Sequence, residues 1–506
     1  MELEPLERLS HIQAIRDQLA RYWRGVDRCD AELVRSTYHA DAYDDHGYYK
    51  GPIDGFLESL PAVVWPTFHR TQHFSGHTSV ELETPDRARA ESYAEAHHIL
   101  RADDGTAKDL VYGLRYVDRF ELRDGLWKIA HRVCTWDWQR TDEGVGMPLE
   151  ASYFRGSRDR EDPAFEHPQR TGAPVSADDL IAKRACYDAL ARYARGVDRC
   201  DPEVVRSTYH ADAYDDHGGY QGDVDGFLAW VKATVMDTFS ATMHQLGNSL
   251  IEVDGDRAFA ETYAVAHHVL GQLATPTDLI MGVRYLDRFE RSGNDWKVAH
   301  RVMSFEWERS VEAGAQTFPP GSLSGARDGS DGVLHWKPAP PPAATQAAAR
   351  ACDRDAIYAQ LVRYSRGVDR RDDALLREAY WPDATDHHGV FEGDLEGFIR
   401  FVNDEVHLRF RCTMHRLGNA LIEFTSQDEA HCESYAVAHH VRAEDGRDID
   451  DLVMGIRYLD RFERRGDAWR IARREVIYEW QRLDRLEPLD PEWTLGQTDR
   501  TDPVYP

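Results

Sequence analysis

Cysteine is scarce in this chain. The seven present (Cys29, Cys134, Cys186, Cys200, Cys352, Cys412, Cys432) are scattered, odd in number and never spaced C-x-x-C. That excludes a disulfide framework and a cysteine zinc site, and leads to the expectation of a reducing, cytoplasmic setting. No apolar run approaches the ~20 residues of a membrane span. The first twenty residues, MELEPLERLSHIQAIRDQLA, lack the basic start and apolar centre of a secretory leader. Basic residues are outnumbered, 61 against 89 acidic, for a net charge of −28. Such a surface repels phosphates, so nucleic acid and anionic membrane are not expected partners. The recognised nucleotide, zinc and serine-nucleophile signatures (Walker A, G-x-G-x-x-G after a strand, H-E-x-x-H, G-x-S-x-G) are missing too. No metal and no cofactor are expected.

What the chain has instead is one unit written three times. RYWRGVDRCD at Arg21 returns as RYARGVDRCD at Arg192 and RYSRGVDRRD at Arg363, with an offset of 171 residues each time. STYHADAYDDHG, ESYAEAHH and GLRYVDRFE have counterparts in the other two copies. A period this long exceeds any solenoid repeat, so each copy is a domain. The reading is domain 1 at 1–150, domain 2 at 175–312 and domain 3 at 348–485. Linkers or tails fall at 151–174 and 313–347, and a C-terminal tail at 486–506. The second linker holds PAPPPAATQAAA, a semi-rigid spacer. GSRDREDPAF, GARDGSDGVL and GQTDRTDPVY echo one another after the last strand of each copy. Tails that repeat with their domain are read as part of it.

Within a unit, IQAIRDQLARYWRGVD has helical spacing, and DAELVRSTY and GFLESLPAVV read as two shorter helices. Beyond His73 the pattern alternates, with a D-G turn at Asp124-Gly125. Helices followed by an antiparallel meander give an α+β fold, with a pocket between sheet and helices.

Asp27, Asp198 and Asp369 end the first helix, and His73, His244 and His415 begin the sheet region. An aspartate that fixes one imidazole nitrogen makes the other a general base near neutral pH. Both residues occur in all three copies, so these six are the expected catalytic groups. Tyr22, Tyr193 and Tyr364 precede the aspartate by five residues, about 140° of helix rotation. Gly25, Gly196 and Gly367 are expected to loosen the helix so that both side chains turn inward. His46, His217 and His388 stand in D-D-H-G or D-H-H-G segments. One histidine of each pair 97/98, 267/268 and 439/440 faces the pocket. Ala94 and Ala96 share the parity of His98, which favours His98, His268 and His440 and leaves the opposite choice open. Arg132, Arg301 and Arg474, on the last strand, are expected to hold an anionic leaving group.

These residues resemble the SnoaL-like branch of the nuclear transport factor 2-like superfamily. Y-x₄-D followed by His carries the likeness, as does YKGPIDGF…VVWPTFHRTQH from Tyr49 to His73. The run is similar to hexachlorocyclohexane dehydrochlorinases, and the Tyr-x₄-Asp form to bile-acid dehydratases, with scytalone dehydratases further away. The resemblance implies cone-shaped, cystatin-like domains, each a curved, mostly antiparallel sheet wrapped on about three helices. It implies the His–Asp base and the accessory Tyr, His and Arg residues named above. It also implies packing as an intrachain pseudo-trimer, since such relatives are commonly homotrimers. Tyr22 stands where the dehydrochlorinases carry Lys, which favours oxygen over halide as leaving group. The expected activity is a cofactor-independent lyase acting on a small apolar cyclic or aromatic molecule, releasing water, HCl or formaldehyde. An isomerase or polyketide-cyclase-like enzyme with the same base is the alternative, as is a non-catalytic small-ligand binder. The expected partner is a small molecule, with the chain a monomeric pseudo-trimer or a homo-oligomer.

Overall fold

A computed structural model describes residues 3–101, 107–143, 157–158, 162, 172–271, 276–293, 295–313, 318, 321–328, 330–331, 333, 344–445, 447–490, 492–499 and 501–504. Most of the two linkers, and the PAPPP start of the spacer, lie outside them. From Ala344 on the spacer is helical, because the first helix of domain 3 (Ala344–Asp369) starts there.

In domain 1, helix α1 (Pro5–Asp27) buries Ile12, Ile15, Leu19, Tyr22 and Val26 on the sheet. It runs unbroken through Gly25, which corrects the expected loosening. The glycine serves a close crossing: a Cβ there would meet Val34 Cγ2 at 2.8 Å and Val34 N at 3.0 Å. Helix α2 (Ala31–Ser36) is capped by Asp30, whose side chain accepts from Leu33 N. Helix α3 (Ile53–Ser59) widens into a π-helical turn at Leu60–Val64 and ends with Trp65–Thr67. The sheet consists of β1 (Tyr38–Asp45), β2 (Lys50–Pro52), β3 (Arg70–Thr84), β4 (Arg87–Arg101), β5 (Ala107–Arg123) and β6 (Leu126–Glu143), in the order β2-β1-β6-β5-β4-β3. Only β1 and β6 pair in parallel. Domains 2 and 3 repeat this order, and in domain 3 the short strand Leu323–Ser324 adds a seventh, parallel to Ala468–Arg485. Each domain has its own apolar core between helices and sheet.

The three sheets meet through a repeating set of contacts. His97 of domain 1 packs on Trp307 of domain 2 at 4.3 Å between centroids, His267 on Trp480 at 4.1 Å, and His439 on Trp138 of domain 1 at 4.5 Å. Arg24 pairs with Glu261, Arg195 with Glu433, and Arg366 with Glu91. Near these, a bulge in each third strand interlocks with its neighbour. Asn248 accepts from Ser75 N, Asn419 from Leu246 N, and His77 Nδ1 from Leu417 N at 3.3 Å.

His77 is therefore the odd member of a ring that is otherwise asparagine. Burial pushes its imidazole down to about 4, because protonation would charge a group sealed from water. The unfolded chain binds that proton near pH 6.5, so the fold loses stability as pH falls from 6.5 through 4. The loss is about 3 kcal/mol for this residue. His77→Asn keeps an acceptor for Leu417 N and cannot titrate. Urea midpoints measured between pH 4 and 7 are expected to fall less steeply for the variant than for wild type.

Each repeated tail bridges its own domain and another one: Asp162, Asp331 and Asp502 pair with Arg28, Arg199 and Arg370 of the domain each tail follows. Asp162, from the tail after domain 1, pairs with Arg284 of domain 2 at 2.6 Å, and Asp331, from the tail after domain 2, with Arg457 of domain 3 at 2.6 Å. Asp502, from the last tail, returns to Arg115 of domain 1 at 2.6 Å. Trp493 stacks on Trp136 at 4.2 Å, and Leu489, Trp493 and Leu495 join the core of domain 1. No helix among the described residues is long and apolar enough to cross a membrane.

Candidate functional site

The C-terminus of α1 and the start of β3 bring Asp27 and His73 together. Asp27 accepts from His73 Nδ1 at 2.6 Å, from His73 N at 2.9 Å and from Thr71 Oγ1 at 2.8 Å. Asp198 meets His244 Nδ1 at 2.7 Å, and Asp369 meets His415 Nδ1 at 2.7 Å. All three aspartates are sealed from solvent. Burial alone would raise the Asp27 carboxyl; the His73 ring and N–H and the Arg28 guanidinium outweigh it and hold the carboxyl below its ordinary range. The same balance lowers Asp198 and Asp369. An ionised aspartate on Nδ1 fixes the tautomer and leaves Nε2 as the basic nitrogen.

Along β4, Ala94, Ala96 and His98 turn toward the helices. His98 stands edge-on to His73 at 5.2 Å, His268 to His244 at 5.2 Å, and His440 to His415 at 5.5 Å. Burial, then the neighbouring histidine, pushes His98, His268 and His440 down to about 3, so these rings are neutral. His268 and His440 donate Nδ1–H to the Leu279 and Leu452 carbonyls, leaving Nε2 as an acceptor. His97, His267 and His439 take the opposite face and belong to the domain contacts.

In domain 3 the site opens into a cavity of about 500 Å³. Tyr364, His388, His415 and His440 form its polar end, and Phe398, Phe401, Phe410, Met454 and Ile456 its apolar walls. Tyr22, Tyr193 and Tyr364 contact His46, His217 and His388, respectively, at 2.8, 3.0 and 3.0 Å. In domain 3 the tyrosine and the dyad histidine line one cavity, with the first helix unbroken between Tyr364 and Asp369.

Arg132, Arg301 and Arg474, expected to hold an anionic leaving group, are engaged by carboxylates of the protein itself. Each is fully buried and grips Asp118, Asp287 or Asp460 of the neighbouring strand with two nitrogens. Its guanidinium lies over the ring of Tyr22, Tyr193 or Tyr364 at 4.0, 4.2 and 4.0 Å, behind the cavity wall. The sequence reading also missed Asp44, Asp215 and Asp386, which hold the other nitrogen of His46, His217 and His388. Their signal was in plain view in D-D-H-G, two residues before each histidine.

A clasp closes the back of the dyad. Arg158 of the first tail donates to the carbonyls of Phe68 and Asp27, and Arg327 of the second tail to those of Phe239 and Asp198. In domain 3 the tail has Thr498 at the matching position, and the arginine stands at Arg371, where domains 1 and 2 have Cys29 and Cys200. Arg371 reaches the carbonyls of Phe410, His407 and Arg411. An arginine thus meets the carbonyl of Phe68, Phe239 or Phe410 in every domain, whichever segment supplies it. Arg371→Cys alone is expected to destabilise the chain by about 1–2 kcal/mol, and Thr498→Arg added to it to recover part of that loss. A double-mutant cycle on denaturation midpoints measures the coupling.

Among the described residues no group of three or more His, Cys, Asp or Glu converges as a metal-binding set. The SnoaL-like domain profile matches residues 7–133, 178–302 and 349–475. Hexachlorocyclohexane dehydrochlorinase 1 of Sphingobium indicum is 28% identical over 131 residues, covering 25% of this chain and 82% of that protein. The crystal structure of a type 2 hexachlorocyclohexane dehydrochlorinase aligns at 24% identity and a TM-score of 0.27, over 29% of this chain and 99% of that one. A putative scytalone dehydratase from Novosphingobium aromaticivorans aligns at 20% identity and a TM-score of 0.25, over 28% and 94%.

Proposed function

This chain belongs to the SnoaL-like family in all three of its domains, and from that premise we propose that each domain is a lyase site. His73, His244 and His415, oriented by Asp27, Asp198 and Asp369, remove a proton from carbon. A leaving group departs from the neighbouring carbon of a small, largely apolar, cyclic or aromatic substrate. Water is the favoured leaving group, because a phenol rather than an ammonium faces the site; chloride and formaldehyde follow. The observation that carries the reading is the buried Asp–His pair, repeated three times and, in domain 3, placed at the polar end of an apolar cavity. An apolar cavity suits an apolar substrate, and a base with its Nε2 free suits carbon acids. A relative named for dehydrochlorination supports the same class. No group in this scheme requires a cofactor. The same reading takes the chain as an intrachain pseudo-trimer, supported by the three repeated interface sets.

The test is a mass-spectrometric screen with benzylic and allylic alcohols, β-hydroxy ketones, cyclic chlorides and aryl-propanediols. Loss of water, HCl or formaldehyde is the expected result. A product of unchanged mass would replace the lyase by an isomerase or cyclase using the same base. Saturable binding of these compounds with no turnover would replace it by a ligand-binding protein.

A further inference from the structure

The base dyad leaves a second Asp–His pair in every domain without a task. Tyr22 Oη lies 2.8 Å from His46 Nε2, and the counterparts Tyr193–His217 and Tyr364–His388 are at 3.0 Å. On the far side of each imidazole, Nδ1 meets Asp44, Asp215 or Asp386. The other oxygen of each carboxylate accepts from Tyr38, Tyr209 or Tyr380 at 2.7 Å. These aspartates are as deeply buried as those of the base dyad. In domain 3, Tyr364, His388 and His415 line one cavity, with the Tyr364 and His415 rings 6.4 Å apart. A scaffold role explains Arg132, whose nitrogens are taken up by Asp118 and Tyr38. It does not explain a carboxylate committed to an imidazole whose free nitrogen ends on a phenol at a cavity wall.

We infer that Tyr22, Tyr193 and Tyr364 are the general acids of the elimination, each recharged by the histidine behind it, with Asp44, Asp215 and Asp386 as positioning residues. The inference rests on the lyase reading above. In the step, the carbon–oxygen bond breaks and its electron pair leaves with oxygen. That oxygen takes the phenolic proton and departs as water. The phenol oxygen takes the Nε2 proton of the imidazolium. The base dyad takes the carbon-bound proton, and the electrons of that bond form the new double bond. The relay ends one proton short and the base one proton rich, and exchange with solvent resets both. Because the ionised aspartate holds Nδ1–H, an Nε2–H exists only in the imidazolium. The step therefore starts with the extra proton on the relay and ends with it on the base. The titratable and charged groups facing His46 are Asp44 of its own segment, Tyr22 of α1, Tyr48 of the following turn, and Tyr116 and Asp118 of β5, with Arg132 of β6 behind Tyr22.

The test uses p-nitrophenol, whose ionised form absorbs in the visible, bound to the intact chain. Its oxygen stands in for the departing oxygen. The ratio of ionised to neutral bound probe is expected to fall about tenfold in the triple variant D44N/D215N/D386N, the scale of one charge-assisted hydrogen bond. Y22F/Y193F/Y364F is expected to lower it as much, and it decides the matter if the asparagine variant does not fold, because phenylalanine keeps the ring packing. An unchanged ratio in a folded variant overturns the relay while leaving the base dyad intact. No saturable binding to wild type overturns the apolar pocket of the lyase reading, and the relay with it.

Discussion

Replacing His73, His244 and His415 together by glutamine is expected to lower turnover about a thousandfold or more, the scale set by loss of a positioned general base. Glutamine is the informative replacement. Its amide can still donate to Asp27, Asp198 or Asp369, so no buried carboxylate is left unpaired, but it offers no basic nitrogen. Alanine would mix lost catalysis with the cost of a stranded charge. The three double variants that keep one histidine each read the domains separately. Equal residual rates would mean three equivalent sites. Unequal rates are the expected result. Positions 112, 281 and 454 are Tyr, Met and Met, and positions 136, 305 and 478 are Trp, Phe and Tyr, and Met454 and Tyr478 line the third cavity. If the triple variant retains wild-type turnover, the assigned base is wrong.

The second large effect is on stability. Arg115→Met is expected to destabilise the chain by about 3–5 kcal/mol, because it strands buried carboxylates. Arg115 holds Glu91 at 2.8 Å, Asp137 at 3.1 Å and Asp502 at 2.6 Å, and all four side chains are sealed from water. Glu91 is kept ionised against its burial by Arg366 and Arg115 together. Asp502 is likewise held down to about 2, burial being outweighed by Arg115. Neither can simply take up a proton at neutral pH at no cost, so losing the arginine acts on the whole cluster. The change also unties the last tail. Limited proteolysis is expected to cut between residues 486 and 506 faster in the variant, while Asp502→Asn has the smaller effect on stability and a similar one on cleavage. Denaturant titration separates the two. Cleavage at the wild-type rate would show that Trp493 and Leu495, rather than the ion cluster, hold the tail.

Much of the architecture was legible because periodicity encodes it. The 171-residue offset marks three domains, and the change from helical spacing to alternation near His73 marks where helices end and the long strands begin. The pairing of Asp27 with His73 was legible for a different reason: both recur in copies that have diverged around them. What escaped is whatever depends on register or on a distant segment. Strand β1, YHADAYDD, has no large aliphatic residue and receives no element from the sequence pattern; its parallel place beside β6 makes it a strand. Arg132 reads as a ligand-binding cation until β5 and β6 are aligned, when Asp118 falls directly opposite. Gly25 reads as a weak point in α1 because its partner, Val34, lies on the next helix. The destination of the tails could not be read at all, since GSRDREDPAF names its aspartate but not the arginine of the following domain.

That destination has a consequence for biogenesis. Leu489, Trp493 and Leu495 pack on the core of the domain that begins at Pro5, so the domain made first of the three is the last to be sealed. Until the tail after the third domain has been made, Trp136 and Tyr112 lack their aromatic cover and Arg115 lacks one of its three carboxylates. The nascent first domain is exposed through the whole synthesis of the other two, so the demand for chaperone protection falls before the third domain and its tail are made.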